Sequence, residues 1–209
     1  MNTLFFKESF FLFTVITIIA LLIVLLFSKK WAIIFIVYLV IIAFLVYFYR
    51  VPNRSVVYNP DVLLAASDGT VKQIIYDKDT KTYRIVVFLH IFNQHLQFYP
   101  INGSIKALNY HVGEFHPAYL LEKSKYNERM ETILNTKYGD IKITQIAGQI
   151  ARRIVNKSEV GKKIKQGDYM GMIKLSSRVD IEFSANYFKP SVNIGDKIHA
   201  QQTILATLI

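Results

Sequence analysis

Ser176 and Ser177 sit where a short apolar strand runs into a polar Ser-Ser-Arg turn, within Gly171-Met172-Ile173-Lys174-Leu175-Ser176-Ser177-Arg178-Val179-Asp180. A serine hydroxyl presented by a strained turn can attack the carbonyl before it, provided that a neighbouring base takes its proton. Candidate bases are few, because the chain has five histidines and no cysteine. The lack of cysteine excludes thiol nucleophiles, disulfides, cysteine zinc sites and iron–sulfur clusters at once. His90 and His95, like His111 and His116, are five residues apart, on opposite faces of a strand and well off one face of a helix. No metal site is therefore expected. Arg152, Arg153 and Arg178 could contact a phosphate or carboxylate, with structural salt bridges as the equal alternative. Taken singly, Ser176-Ser177 is an ordinary turn, Asp68 before Gly69 a turn residue and His95 a strand-end histidine.

The elements that must position these groups fall into two parts. Ser9 to Ser28 carries no charge, and Trp31 to Tyr49 is a second uncharged run, with Lys29-Lys30 between them. A helix needs about 20 apolar residues to cross a bilayer core of roughly 30 Å. Trp31 at one end and Tyr47-Phe48-Tyr49 at the other suit an interfacial aromatic belt. Residues 1–50 are expected to form a membrane-anchoring helical hairpin with spans near 9–28 and 31–49. Val51-Pro52-Asn53-Arg54 then breaks the helix.

From residue 51 to 209 the pattern is β-dominated. Short runs at Val62–Ala66, Val71–Tyr76, Tyr83–Phe92, Glu131–Thr136 and Ile141–Ala147 are separated by turn residues. Asn102-Gly103 reads as a hairpin turn between Phe98–Ile101 and Ser104–Leu108. Helical periodicity is confined to about Pro117–Lys125. Val160–Asp168 echoes Ile194–Gln202 at an offset of 34, each with a glycine turn opening a short strand. Paired units of this kind occur in barrel-sandwich folds. The expected fold is thus mainly β and barrel-sandwich-like, preceded by the transmembrane α-helical hairpin.

Of the net charge of +10, the part beyond residue 50 holds +7, from 21 basic and 14 acidic side chains. Such an excess favours an anionic partner. Tethered to a bilayer, the domain is expected to meet an anionic membrane surface and no nucleic acid. The Lys29-Lys30 turn and the Arg50/Arg54 flank carry similar charge, so the positive-inside rule gives only a weak vote on orientation.

Six stretches, taken in order, resemble the short bacterial and archaeal form of phosphatidylserine decarboxylase. They are Phe48-Tyr49-Arg50-Val51-Pro52-Asn53-Arg54, Ala66-Ser67-Asp68-Gly69-Thr70-Val71, Ile91-Phe92-Asn93-Gln94-His95 with Pro100 and Gly103, Asn127-Glu128-Arg129, Gln145 to Ile154, and Leu175-Ser176-Ser177-Arg178-Val179-Asp180. Their order and spacing carry the resemblance, which runs from Arg50 nearly to the end. The family pattern has glycine before the processed serine, where this chain has Ser176. It also has a basic residue or histidine at the position of Phe98, so no function is carried onto residue 98.

The resemblance implies a self-processing enzyme. Ser177 attacks the carbonyl of residue 176, turning the amide into an ester. β-Elimination then splits the chain into a β chain (1–176) and an α chain (177–209), and the dehydroalanine left at Ser177 hydrolyses to a covalent pyruvoyl group. That carbonyl condenses with the amine of phosphatidylserine and takes up the electrons released as carbon dioxide leaves. Asp68 would orient or activate the base, and His95 would exchange protons with Ser177 and then the substrate. The implied setting is the inner (plasma) membrane with the domain in the cytoplasm; a homo-oligomer is allowed. Two rival readings are a non-enzymatic, membrane-anchored barrel-sandwich adaptor and a decarboxylase relative that no longer processes itself.

Overall fold

The computed structural model describes residues 14–20, 22, 32–51, 53–149, 153–174 and 177–209. The chain divides into two compact units, Met1–Asn53 and Arg54–Ile209. In the first, residues 14–20 are helical and α1 spans Ala32–Phe48 without a single charged residue. At 17 residues α1 is about 25 Å long, short of the ~20 residues that span a bilayer core. Among the described residues no helix is long and apolar enough to cross a membrane. Most of the first expected span, 9–28, lies outside the described residues.

The second unit is mainly β, as its alternating and β-branched runs require. Its strands are β1 (Val62–Leu64), β2 (Gly69–Asp77), β3 (Thr82–Leu89), β4 (Leu96–Phe98), β5 (Gly103–His111), β6 (Arg129–Thr136), β7 (Gly139–Ile146), β8 (Ile154–Asn156), β9 (Lys163–Ile164), β10 (Tyr169–Ile173), β11 (Ser177–Ser184), β12 (Phe188–Pro190), β13 (Lys197–Ile198) and β14 (Ile204–Leu208). A short helix, α2 (Leu121–Ser124), falls inside the expected helical stretch. An eight-stranded antiparallel sheet runs in the order β13-β2-β3-β11-β7-β6-β5-β9, and two three-stranded sheets, β1-β14-β12 and β4-β10-β8, complete the fold. All three contribute to one core that includes Leu63, Val87, Ile143, Met170, Ile181, Phe183 and Leu205.

The offset of 34 reaches much further than the two loops that betray it in the sequence. β2 skips Lys72 in its pairing with β3, and β5 skips Lys106 in its pairing with β6. β13 pairs Ile198 with Gly69 at one edge of the large sheet; β9 pairs Ile164 with Gly103 at the other. The Val71 amide bonds the Asp196 carbonyl at 2.9 Å, as the Ile105 amide bonds that of Lys162 at 3.0 Å. The Oδ1 atoms of Asp68 and Asn102 accept the amides of Ala200 and Gln166 at 2.9 and 2.8 Å. The large sheet is therefore two similar halves meeting at β11 and β7, related by an approximate twofold.

Asn102-Gly103 differs from its expected role. It does not close a hairpin, because β4 and β5 belong to different sheets. Instead Asn102 staples the loop before β10, while a Cβ on Gly103 would stand 2.6 Å from the Asn135 carbonyl oxygen, as one on Gly69 would from that of Phe88. Gly103→Ala should therefore lower stability by about 1–3 kcal/mol, read as a reduced thermal midpoint, because backbone rather than a flexible side chain blocks the methyl group.

Candidate active site

Side chains alternate along β11, so Ser177, Val179, Ile181 and Phe183 face the core, and Arg178, Asp180 and Glu182 face the other way. Ser177 opens this strand opposite Leu89 of β3 and is fully buried. Its Oγ has no hydrogen-bond partner among the described residues. Ser176 and Arg152 lie outside the described residues.

His95 is also buried. It follows a tight turn in which the Asn93 amide bonds the His90 carbonyl and the His90 amide bonds Asn93 Oδ1, each at 2.8 Å. His95 Nδ1 lies 2.9 Å from the Asn93 carbonyl oxygen. A carbonyl only accepts, so Nδ1 carries the proton and Nε2 is the basic nitrogen of the neutral ring. The His95 backbone is anchored too: its carbonyl accepts from Gln97 Nε2 at 2.7 Å and from the Ile173 amide at 3.4 Å, four residues before Ser177.

Behind His95 runs a chain of buried and half-buried amides. Gln145 Nε2 donates to Gln97 Oε1 at 2.8 Å, and Asn156 Nδ2 donates to Gln145 Oε1 at 2.8 Å and to Thr132 Oγ1 at 2.9 Å. Gln145 stands opposite Val179, on the face that Ser177 shares. Each amide fixes the orientation of the next, so the histidine loop is held from inside the sheet.

Asp68 lies at the same end of the sheet, at the head of β2. Arg54 grips it with two hydrogen bonds, Nη1 to Oδ1 at 2.5 Å and Nη2 to Oδ2 at 2.8 Å. The Ala200 amide adds a third at 2.9 Å, and His199 Nδ1 stands 3.7 Å from Oδ2. The carboxylate in turn holds the Arg54 guanidinium more firmly protonated than usual. Among the described residues no hydrogen bond joins Asp68 to His95, and the Asn93 carbonyl is a group that orients the histidine. Asp68 and its counterpart Asn102 staple equivalent loops, and Arg54 adds the ionic partner that Asn102 cannot use.

Of the candidate anion contacts, Arg178 is committed within the fold. Its Nε and Nη2 bond Asp180 at 2.7 Å each, and Nη1 bonds the Leu121 carbonyl at 3.0 Å and Ser124 Oγ at 3.1 Å. Burial pushes the Asp180 carboxyl above the usual range against the pull of Arg178. Arg153 is exposed, and its carbonyl accepts the Lys174 amide at 3.1 Å.

Two further groups carried no signal in the sequence. Ser67 Oγ and both ends of the Gln94 amide are buried without a partner among the described residues. They adjoin Asp68 and His95, so each of the three motif segments contains a buried polar group left unsatisfied. Such groups are uncommon in native interiors, and the other buried side-chain amides (Gln97, Asn127, Gln145 and Gln166) are bonded.

A family profile described as phosphatidylserine decarboxylase matches residues 41–206. This chain belongs to the phosphatidylserine decarboxylase family. It is 39% identical over 165 residues to a Methanosarcina barkeri protein named archaetidylserine decarboxylase proenzyme, covering 79% of this chain and 77% of that one. A Methanococcoides burtonii protein of the same name is 32% identical over 163 residues, covering 78% and 74%. The phosphatidylserine decarboxylase proenzyme of Rickettsia africae is 39% identical over 148 residues, covering 66% and 64%. Membership in a family of decarboxylases makes this chain an enzyme and disfavours the adaptor reading.

The Arg54–Asp68 pair gives a separable prediction. Arg54→Ala should cost about 2–4 kcal/mol in denaturant unfolding, because it strands a buried carboxylate. The double variant Arg54→Ala/Asp68→Asn should recover at least about 1 kcal/mol of that loss, as neutralising the stranded group removes most of its desolvation cost.

Proposed function

We propose that this chain is a pyruvoyl-dependent phosphatidylserine decarboxylase that cuts itself between Ser176 and Ser177 and converts the serine headgroup of a membrane lipid to ethanolamine. The observation that carries this reading is the Ser177 hydroxyl, buried at the head of a central strand with no hydrogen-bond partner among the described residues, in a chain of this family. A hydroxyl buried in this way fits the precursor of a pyruvoyl group. When formed, that group supplies a ketone able to condense with the substrate amine and take up the electron pair released with carbon dioxide.

The chain's own residues prepare the site. The Asn93 carbonyl holds the His95 tautomer that makes Nε2 a base, suited to take the proton from Ser177 Oγ and later to return one to the substrate carbon. The amide chain through Gln97, Gln145 and Asn156 keeps the histidine loop in place. Asp68, fixed by Arg54, secures the loop at Ala200 and offers a fixed negative charge at the same end of the sheet. Arg178 positions the start of β11 from the opposite face, and Arg153 is an exposed cation open to a lipid anion.

Cutting before Ser177 would leave residues 177–209 woven into the fold. β11 is hydrogen-bonded to β3 on one side and β7 on the other, β13 to β2, and β14 to β1. The α chain should therefore stay bound to the β chain through native purification and separate only in denaturant.

An apolar α1 with outward side chains such as Ile33, 74% exposed, supports an anchoring segment within residues 1–50. In this reading residues 51–209 form the catalytic domain, the hairpin holds it at the inner membrane, and the domain lies on the cytoplasmic side.

The test is release of carbon dioxide from the serine carboxyl of phosphatidylserine, with archaetidylserine compared because relatives bear both names. Ser177→Ala should abolish it, and His95→Ala should reduce it by at least about a hundredfold. A protein cut at Ser177 that decarboxylates neither lipid would refute the assignment and point to a different amine substrate.

A further inference from the structure

The approximate twofold exposes one large departure from symmetry. The link between β2 and β3 is the polar turn 78–81, Lys-Asp-Thr-Lys. Its counterpart between β5 and β6 is the lobe 112–128. Because the halves run antiparallel, the two links lie at opposite ends of the sheet, and the lobe is at the Ser177 end. His111, Arg129, Ile146, Arg178, Phe88 and Thr70 form one continuous row across that end.

The lobe is built, not loose. Asn127 is buried and bonded three ways, accepting the His116 amide and donating to the carbonyls of His116 and Ala147, each at 2.8 Å. The Glu114 amide bonds the Tyr126 carbonyl at 2.9 Å, and a Cβ on Gly113 would stand 2.6 Å from the Asn127 carbonyl carbon. Leu121 and Ser124 tie the lobe to Arg178, and Tyr119 packs edge-on against Phe88 at 6.3 Å between ring centres.

With its neck closed, the lobe turns large apolar side chains outward. Val112 is 84% exposed, Tyr119 60%, Tyr126 59% and Leu120 39%, and Tyr110 beside them is 53% exposed. Tyrosine has an apolar body and a polar tip, the profile enriched at membrane–water interfaces. Beside the lobe, a groove of about 200 Å³ is lined by four basic side chains (Arg84, Lys125, Arg129 and Lys142) against two acidic ones, besides the internally paired Arg178 and Asp180. Apolar protrusion next to excess positive charge complements an anionic lipid surface.

We propose that the 112–128 lobe docks this domain onto an anionic bilayer, its tyrosine, valine and leucine side chains entering the headgroup layer and the basic groove facing lipid phosphates. This rests on the lipid-decarboxylase reading, in which a lipid must reach Ser177, at the same end of the sheet as the lobe. The polar turn 78–81 is the built-in control.

The absence of cysteine allows single labels at Val112→Cys, Tyr126→Cys and Thr80→Cys in the full chain. Each carries an environment-sensitive fluorophore and is read in detergent and in vesicles of phosphatidylcholine with or without phosphatidylglycerol. In the anionic vesicles, labels at 112 and 126 should shift to the blue and lose quenching by aqueous iodide severalfold, less so in phosphatidylcholine alone, while the label at 80 stays quenched. Equal quenching at 80, 112 and 126 in anionic vesicles would overturn the proposal. Shielding at 112 that appears in detergent and grows with protein concentration would overturn it in favour of a second copy of the chain. Carbon dioxide release from a monomeric short-chain phosphatidylserine, which needs no bilayer, reports on the chemistry separately.

Discussion

A hydroxyl buried without a partner costs about 1–3 kcal/mol, and among the described residues Ser177 Oγ, at the head of a central strand, is such a group. Ser177 could find water or a partner if β11 frayed. The strand cannot easily fray, because it is hydrogen-bonded on both sides and anchored on its outer face by Arg178, Asp180 and the carbonyl of Leu121. The same placement explains how a chain could be cut beside Ser177 and keep its shape. Strand pairing, not the peptide bond at residue 176, holds the last 33 residues in the fold.

Two similar halves supply the frame, and their differences mark the site. Asp68 and Asn102 perform the same loop-stapling task, but only Asp68 is a carboxylate and only Asp68 meets Arg54. The link after β2 is a short polar turn, and the link after β5 is a lobe tied to Arg178. Departures of this kind are informative because packing alone gives the two halves the same solution.

Much of the frame was legible in the sequence. β-Branched runs bounded by turn residues placed most strands, and the loops at 160–168 and 194–202 revealed the repeat. Asn102-Gly103 misled because its dipeptide is strongly associated with hairpins, whereas a close backbone approach and a side-chain staple govern it here. Ser177, His95 and Asp68 stood out by their order. Gln94, Gln97, Gln145 and Asn156 did not, since an amide inside the fold has the same letter as one on the surface and only its surroundings reveal its role. The bond that orients His95 was illegible for a related reason: the acceptor is a backbone carbonyl, which every residue has. Arg178 carried a guanidinium that suggested an anion, yet strand alternation turns it to the face opposite Ser177.

The central claim is that Ser177 is the source of the electrophile. Intact-mass and peptide-level mass spectrometry of the purified chain tests it most directly. The expected result is a 33-residue C-terminal fragment, Ser177–Ile209, whose first residue is a pyruvoyl group and which is absent from Ser177→Ala. A chain that remains whole at 24.2 kDa in membranes, or a fragment beginning with an unmodified serine, would contradict it.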